Sequence, residues 1–461
     1  MKGSPDQDHL LAEFISRMRF DDLSSHDLSV AKAGILDCLG VMISGSQSRT
    51  VLSLMEEIHS WGSQGNGTVV GHDQRLPEVL ASLLNGTAAH AGHFDDRSPA
   101  MCGHPSCTLV PVLVSTAKLK NLSGQDWVEA YACGFEVGIK LARVTKPALY
   151  SMGFHATSVL GVLMAVATAA RVLGLDVPQT SYALGTSAFM AAGVRANFGS
   201  MTMALHAGHA VSQGMLAVFL AKRGFSSDPE AVTGRYGFLD CFTGGQYDCS
   251  ELSNLGKPFE LSRSGIDFKF FPCGQPTVCA VEAALHLRST YHLMPEMIQK
   301  IHCYVSPTIR ETLNKARPLR TGKEGKVNLP YCLAIAFVRG NLVEADFQDE
   351  VLDDPVITAL RHCCAVHVTE DLPENDEHPA RVEIKLWDGR VISEQRNRTS
   401  GSATHLPPWD RLVQKFKEQS LPVLGPESTE RLAVQLGKLE EVRDVALITE
   451  LLRRTSDQPS L

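Results

Sequence analysis

Histidines set beside acidic, glycine and basic residues are the first sign of chemistry in this chain, because imidazole is the side chain whose charge changes near neutral pH. Four such clusters occur. The first is His90-Ala91-Gly92-His93-Phe94-Asp95-Asp96-Arg97, followed by Gly103-His104-Pro105-Ser106. The second is Gly153-Phe154-His155. The third runs from Asn197-Phe198-Gly199-Ser200 through Met201-Thr202-Met203 to His206, a glycine loop entering a helical pattern. The fourth, Phe268-Lys269-Phe270-Phe271-Pro272-Cys273-Gly274, sets a lone cation among aromatic rings. Helix ends at a cleft rim are where titratable groups reach a ligand and where unpaired N–H groups hold a carboxylate. Taken singly, each cluster has a simpler explanation. A histidine at a helix start packs or caps, Asp95-Asp96 cap a helix or pair with an arginine, and Lys269 snorkels to water.

Competing chemistries lack their signatures. His90, His93, Asp95, Asp96 and His104 are close in sequence, yet no His-Glu-x-x-His or tight Cys/His pairing appears, and adjacent Asp95 and Asp96 point apart on any regular element. No metal is expected. G-x-G-x-x-G in a strand-to-helix setting, G-x-x-x-x-G-K-[ST] and G-x-S-x-G are all missing, so no nucleotide cofactor and no α/β-hydrolase is expected either. The 12 cysteines lack C-x-x-C spacing and read as free, mostly buried thiols of a reducing compartment. A net charge of -8 offers no basic surface to nucleic acid or an anionic membrane. Residues 1–9 have neither the apolar core of a signal peptide nor the Arg-rich character of a transit peptide. The longest apolar stretch, 156–175, carries Thr157, Ser158, Thr168 and Arg171, which fits a close-packed core helix better than a membrane span. The expectation is a soluble, cytoplasmic protein.

The elements that must position these clusters are mostly helical. Leu10, Leu11, Phe14, Ile15 and Met18 recur at helical spacing, and Asp27 stands where it can cap the next helix. Further helices are predicted at 50–61, 76–93, 106–119, 124–143, 155–173, 178–190 and 203–223. Many are dense in Ala and Gly, which lets helix axes approach closely. After about residue 265 the texture changes. Ile298–Val305 is β-rich, and 381–395 reads as a hairpin around Asp388-Gly389. Helical segments at 276–288, 329–339 and 355–363 accompany these strands, with 370–378 as a charged surface loop. Helical spacing returns from Pro408 (Leu412, Phe416, Leu432, Leu436, Leu439), and 456–461 reads as a frayed end. The expected fold is mainly α: a large all-helical domain from 1–265 completed by 402–461, with a smaller α+β lid, 266–401, inserted. At 461 residues the chain exceeds one core, and a cleft between two units is a usual place for a small-molecule site.

In order along the chain stand Ile35-Leu36-Asp37-Cys38-Leu39-Gly40, Val70-Gly71, Arg75-Leu76-Pro77 and Asn85-Gly86-Thr87-Ala88-Ala89-His90. Phe94-Asp95-Asp96, Gly103-His104-Pro105-Ser106 and Gly153-Phe154-His155-Ala156-Thr157-Ser158 follow. The 198–202 loop, His206-Ala207-Gly208, the 269–274 stretch and Asn328-Leu329-Pro330-Tyr331-Cys332 complete the series. With these motifs the sequence resembles the MmgE/PrpD family, which includes 2-methylcitrate dehydratase, cis-aconitate decarboxylase and iminodisuccinate epimerase. The resemblance implies a helical domain with an inserted α+β lid, a homodimer, and a small di- or tricarboxylate substrate handled without metal or other cofactor. It implies His104 and His155 as active-site histidines and Lys269 as a lysine facing the substrate. Three positions depart from the family pattern: His93 stands where aspartate is usual, Met203 where lysine is usual, and Arg97 where Ser or Thr is common.

Deprotonating a carbon beside a carboxylate, or expelling CO2, builds charge that cations must hold while histidines move the proton. The expectation is a lyase, a decarboxylase or dehydratase of a citrate- or aconitate-like acid. His104, His155 and His93 are its acid–base candidates, and Lys269, Arg97, Asp96 and His206 its substrate-binding residues. Arg97 in place of the missing lysine would grip a carboxylate bidentately from another side. The alternatives are an epimerase or isomerase, since the same proton can return to the other face, and a non-catalytic anion-binding relative.

Overall fold

The apolar periodicity of the first half becomes helix almost throughout. The computed structural model describes residues 5–309, 319–375 and 377–454. Its helices are α1 (Pro5–Arg17), α2 (Ser25–Gly45), α3 (Arg49–Ser60), α4 (Glu78–Ala91), α5 (Ser106–Thr116), α6 (Gly124–Thr145), α7 (Ala148–Ser151), α8 (Ala156–Leu173), α9 (Val177–Met190) and α10 (Met201–Lys222). Local chemistry fixes their starts. At α2 the cap is Ser24 rather than Asp27: Ser24 Oγ accepts from Asp27 N at 3.1 Å while Asp27 Oδ2 accepts from Ser24 N at 3.0 Å. Asp27 is the returning half of a capping box, worth roughly 1 kcal/mol. Ser123 and Asp126 repeat the device at α6.

The chain divides into two compact units, Met1–Phe268 with Ala403–Leu461, and Lys269–Ser402. In the first, glycines bring helix axes together. A Cβ on Gly86 of α4 would lie 2.8 Å from Gly208 Cα of α10, and one on Gly161 of α8 would lie 2.7 Å from Thr108 Cγ2 of α5. Neither position tolerates a side chain without movement. Helices α2, α8 and α10 are long and apolar enough to cross a membrane, but 78%, 89% and 67% of their apolar windows are buried inside the fold, where they serve as core. The C-terminal segment returns as a helix over Trp409–Gly437, broken at Gly425 (φ 72°), which packs on α2, and then as Ala446–Leu451. The expectation of an all-helical unit needs one correction. Strands β1 (Gly67–Thr68) and β2 (Arg75–Leu76) form a short antiparallel pair within it.

The second unit is built on a sheet of order β4-β3-β5-β6, from β3 (Ile298–Val305), β4 (Cys364–Val368), β5 (Ala380–Leu386) and β6 (Val391–Arg396). Strand β3 runs parallel to β4 and antiparallel to β5. The β5–β6 hairpin turns at Asp388-Gly389, where Gly389 takes φ 88°. One face buries Ile301, Cys303, Val305, Val382 and Ile384 in a core shared with the helices Gln275–Thr290 and Leu329–Arg339. The other carries His302, Tyr304, His367 and Arg381. His302 Nδ1 lies 3.0 Å from His367 Nε2, and the Arg381 guanidinium stands 4.5 Å over the Tyr304 ring. The expected terminal segment 456–461 lies outside the described residues. All 12 cysteines are free thiols.

Candidate active site

The last turn of helix α4 carries His90, four residues after Gly86 and therefore on the same buried face. Gly92 closes the helix, and His93 takes a left-handed φ of 56°, turning the chain sharply. The turn is pinned from behind. Lys415 of the C-terminal helix donates to the Phe94 carbonyl at 2.9 Å, lies 4.1 Å over the Phe94 ring and pairs with Asp37 at 2.7 Å.

Beyond this turn the two adjacent aspartates go separate ways. Asp95 Oδ2 accepts from His90 Nδ1 at 2.7 Å and lies 3.2 Å from His104 Nδ1. His104 Nδ1 also contacts the Asp96 carbonyl at 2.6 Å, and its backbone N–H donates to Thr157 Oγ1 at 3.0 Å. A carbonyl only accepts, so Nδ1 carries the proton and Nε2 is the nitrogen that can take one up. The Asp96 carboxylate instead accepts from Ser106 Oγ and from Ser106 N at 3.3 Å, while Ser106 Oγ shares a hydrogen bond of 2.6 Å with Tyr131. Asp96 thus ties down the start of α5.

His155 stands immediately before α8, its N–H bonded to the Gly193 carbonyl at 3.1 Å. Its Nδ1 lies 3.0 Å from Nδ1 of His206 on α10, and the Phe198 ring meets it edge-on at 4.9 Å. His90 links the two halves: its ring centroid is 4.8 Å from His104, 5.7 Å from His155 and 6.1 Å from His93. Five imidazoles therefore form one contiguous array. His90 Nε2 is buried and meets no hydrogen-bond partner among the described residues.

The carboxylates are pushed apart electrostatically. Burial alone would raise the Asp95 carboxyl, but the charges and hydrogen bonds of His104 and His90 override it and hold the group well below the usual range. For Asp96, burial and the charges of Asp37 and Asp95 win over the Ser106 hydrogen bonds and push it well above that range. The two neighbouring carboxyls are pushed in opposite directions, a division typical of acid–base sites. His155 is lowered to about 2, first by burial and then by the charges of His90, His104 and His206. It stands as a neutral imidazole. Burial, with His90 and His209, also lowers His206.

Of the residues singled out in the sequence, the fold brings His93, His104, His155, His206 and Asp96 together. Arg97 pairs with Asp267 through a 3.3 Å ion pair and a two-way backbone bridge, so its charge is already matched. Met203 is buried in the first turn of α10. Lys269 is 4% exposed and opens the second unit, two residues after Asp267. The residues that sequence reasoning passed over as functional are His90, weighed there as a metal ligand, and Asp95, weighed as a metal ligand, a cap or an arginine partner. For His90 the signal was its i, i+4 relation to Gly86 on the buried helix face. His90, Asp95 and Cys107 do place ligand atoms within 4.8 Å of one another. His90 and Asp95 are engaged with each other, however, and the Cys107 thiol donates to the His104 carbonyl at 3.2 Å.

A helical unit with a buried histidine–carboxylate array, interrupted by a smaller α+β unit, has a defined class. Residues 9–250 match the MmgE/PrpD N-terminal domain and residues 271–441 the MmgE/PrpD C-terminal domain; the chain belongs to the MmgE/PrpD family. It is 27% identical over 464 residues to the cis-aconitate decarboxylase of Mus musculus, covering 97% of this chain and 93% of that protein. It is 24% identical over 471 residues to the cis-aconitate decarboxylase of Aspergillus terreus (96% and 95% covered). With the mitochondrial 2-methylcitrate dehydratase of Yarrowia lipolytica it shares 25% over 418 residues (83% and 77% covered).

Proposed function

We propose that this protein is a cofactor-independent lyase that removes CO2 or water from a citrate- or aconitate-like acid, working as a cytoplasmic homodimer. The observation that carries the reading is the buried array in which His90 stands between His104 and His155, with Asp95 supplying negative charge. Relatives named as decarboxylases and dehydratases of tricarboxylates support the substrate class.

In this reading His104 Nε2 exchanges a proton with the substrate carbon or leaving group, and Asp95 stabilises the imidazolium that forms. His155, held neutral, presents a second nitrogen to the reacting centre, and His93 and His206 extend the polar wall. Lys269 follows the Arg97–Asp267 bridge in the chain and holds a substrate carboxylate. Arg97, matched by Asp267, orders the 95–97 turn as well as lending positive potential. Asp96 contributes through its carbonyl on His104 and its hold on α5.

The test is turnover of citrate, 2-methylcitrate and cis-aconitate by purified protein. CO2 release identifies a decarboxylase and alkene absorbance a dehydratase. Solvent-deuterium exchange with neither product replaces the lyase by an epimerase, and thermal stabilisation by these acids without any exchange replaces it by a binding protein. Full activity in His155→Ala would remove that residue from the mechanism.

A further inference from the structure

We infer that Asp95 is a positioning residue: its carboxylate holds the His104 and His90 rings with Nδ1 protonated and shares one negative charge between them. The inference deepens the lyase reading and rests on it for its kinetic consequences. Asp95 is 0% exposed, and a single oxygen, Oδ2, meets Nδ1 of His90 at 2.7 Å and of His104 at 3.2 Å. For His104 the Asp96 carbonyl assists; for His90 Asp95 is the one Nδ1 partner among the described residues. With Nδ1 donating, the neutral ring of His90 offers a lone pair at Nε2, the buried nitrogen that meets no protein group. The site therefore holds two proton acceptors on one carboxylate.

The other groups facing Asp95 do not change this count. Cys38 from α2 and Cys107 from α5 are buried thiols whose ionisation is pushed well up, and the neighbouring Asp96 carboxyl is raised well above the usual carboxylate range. Asp37, behind Cys38, is matched by Lys415. His155, ahead of α8, is neutral. One charge balances one imidazolium, and a second in this interior would be uncompensated. One carboxylate oxygen therefore serves two rings, and the negative charge that it lends to His104 is shared with His90.

Two variants separate this role from a merely structural one. Asp95→Asn removes the charge in the same shape; kcat should fall at least about tenfold, and the acid limb of the kcat/KM–pH profile should move to lower pH. Affinity for tricarballylate, an unreactive tricarboxylate, should hold or tighten, because a negative charge has left the pocket. His90→Asn keeps a donor toward Asp95 but removes the competing ring, so the acid limb should move to higher pH. Opposite shifts support the inference; no shift, or two shifts in one direction, overturns it. If Asp95→Asn does not fold, the His90→Asn shift alone decides. Long-range 15N–1H spectra of the unliganded wild type are independent of substrate: two rings protonated at Nδ1 support the proposal, and Nε2-protonated His90 overturns it. A wild type that shows those tautomers but neither binds nor converts tricarboxylates sinks the lyase reading and the kinetic role while leaving the tautomer assignment standing.

Discussion

Two places in this molecule bring histidine nitrogens to the same 3.0 Å spacing, and they differ in everything else. On the outer face of the second unit's sheet, His302 stacks on His367 and His367 on Tyr304, with Arg381 over the tyrosine. In the first unit, His155 and His206 belong to a buried array that continues through His90 to His104 and ends on an ionised carboxylate. The sheet pair is what cross-strand neighbours do when two half-buried rings share a face. The core array has a fixed charge, constrained tautomers and an unmet nitrogen. Ring spacing alone does not make a site; the carboxylate and the missing partner do.

The sharpest way to break this contrast is to truncate both. His104→Ala or His155→Ala should lower kcat by about 10³-fold or more, whereas His302→Ala should leave it within about twofold; a comparable loss from the sheet variant would erase the distinction. Next comes the strap behind the array. Lys415→Met removes the buried counter-ion of Asp37 and should cost about 3–5 kcal/mol, read as a lower urea midpoint. Lys269→Met should raise KM for a tricarboxylate by roughly tenfold, the loss of one charge-assisted hydrogen bond, with kcat less affected.

A smaller effect concerns the pH dependence of stability. Folded Asp96 keeps its proton well above the range in which the unfolded chain releases it, near 3.8. The folded state thus binds more protons above that pH, and stability falls as pH rises from about 4 toward the raised folded value. Asp96→Asn carries no such proton, so its melting temperature should decline less over that interval than the wild type's. A parallel decline would show that the Asp96 proton is not linked to folding. The smallest expected change is His367→Ala, within about 0.5 kcal/mol of wild-type stability.

Much of the helical framework was legible because period and caps agree. The segment expected at 124–143 is α6, Gly124–Thr145, and that expected at 178–190 is α9, Val177–Met190. Strand β4 escaped because an edge strand half-buried along its length shows no alternation, and its Cys-Ala-Val-His-Val follows a helix almost directly. Strands β1 and β2 are two residues each, too short for any periodicity. His104 and His155 stood out because each precedes a helix beside glycine. Arg97 is expected from the sequence to bind a substrate carboxylate because Asp267, its counter-ion, lies 170 residues away in the chain. Nor does spacing reveal a tautomer or the hydrogen bond that His90 shares with Asp95.

The crossing of Gly86 over Gly208 gains a further meaning from this array. His90 lies one turn beyond the first glycine and His206 two residues before the second, so the gap between two backbones gauges how far apart those rings can stand. A single methyl at Gly86 would act as a shim. It would push the two helices apart without altering any group that binds or transfers a proton, so the spacing of the rings is adjustable separately from their chemistry.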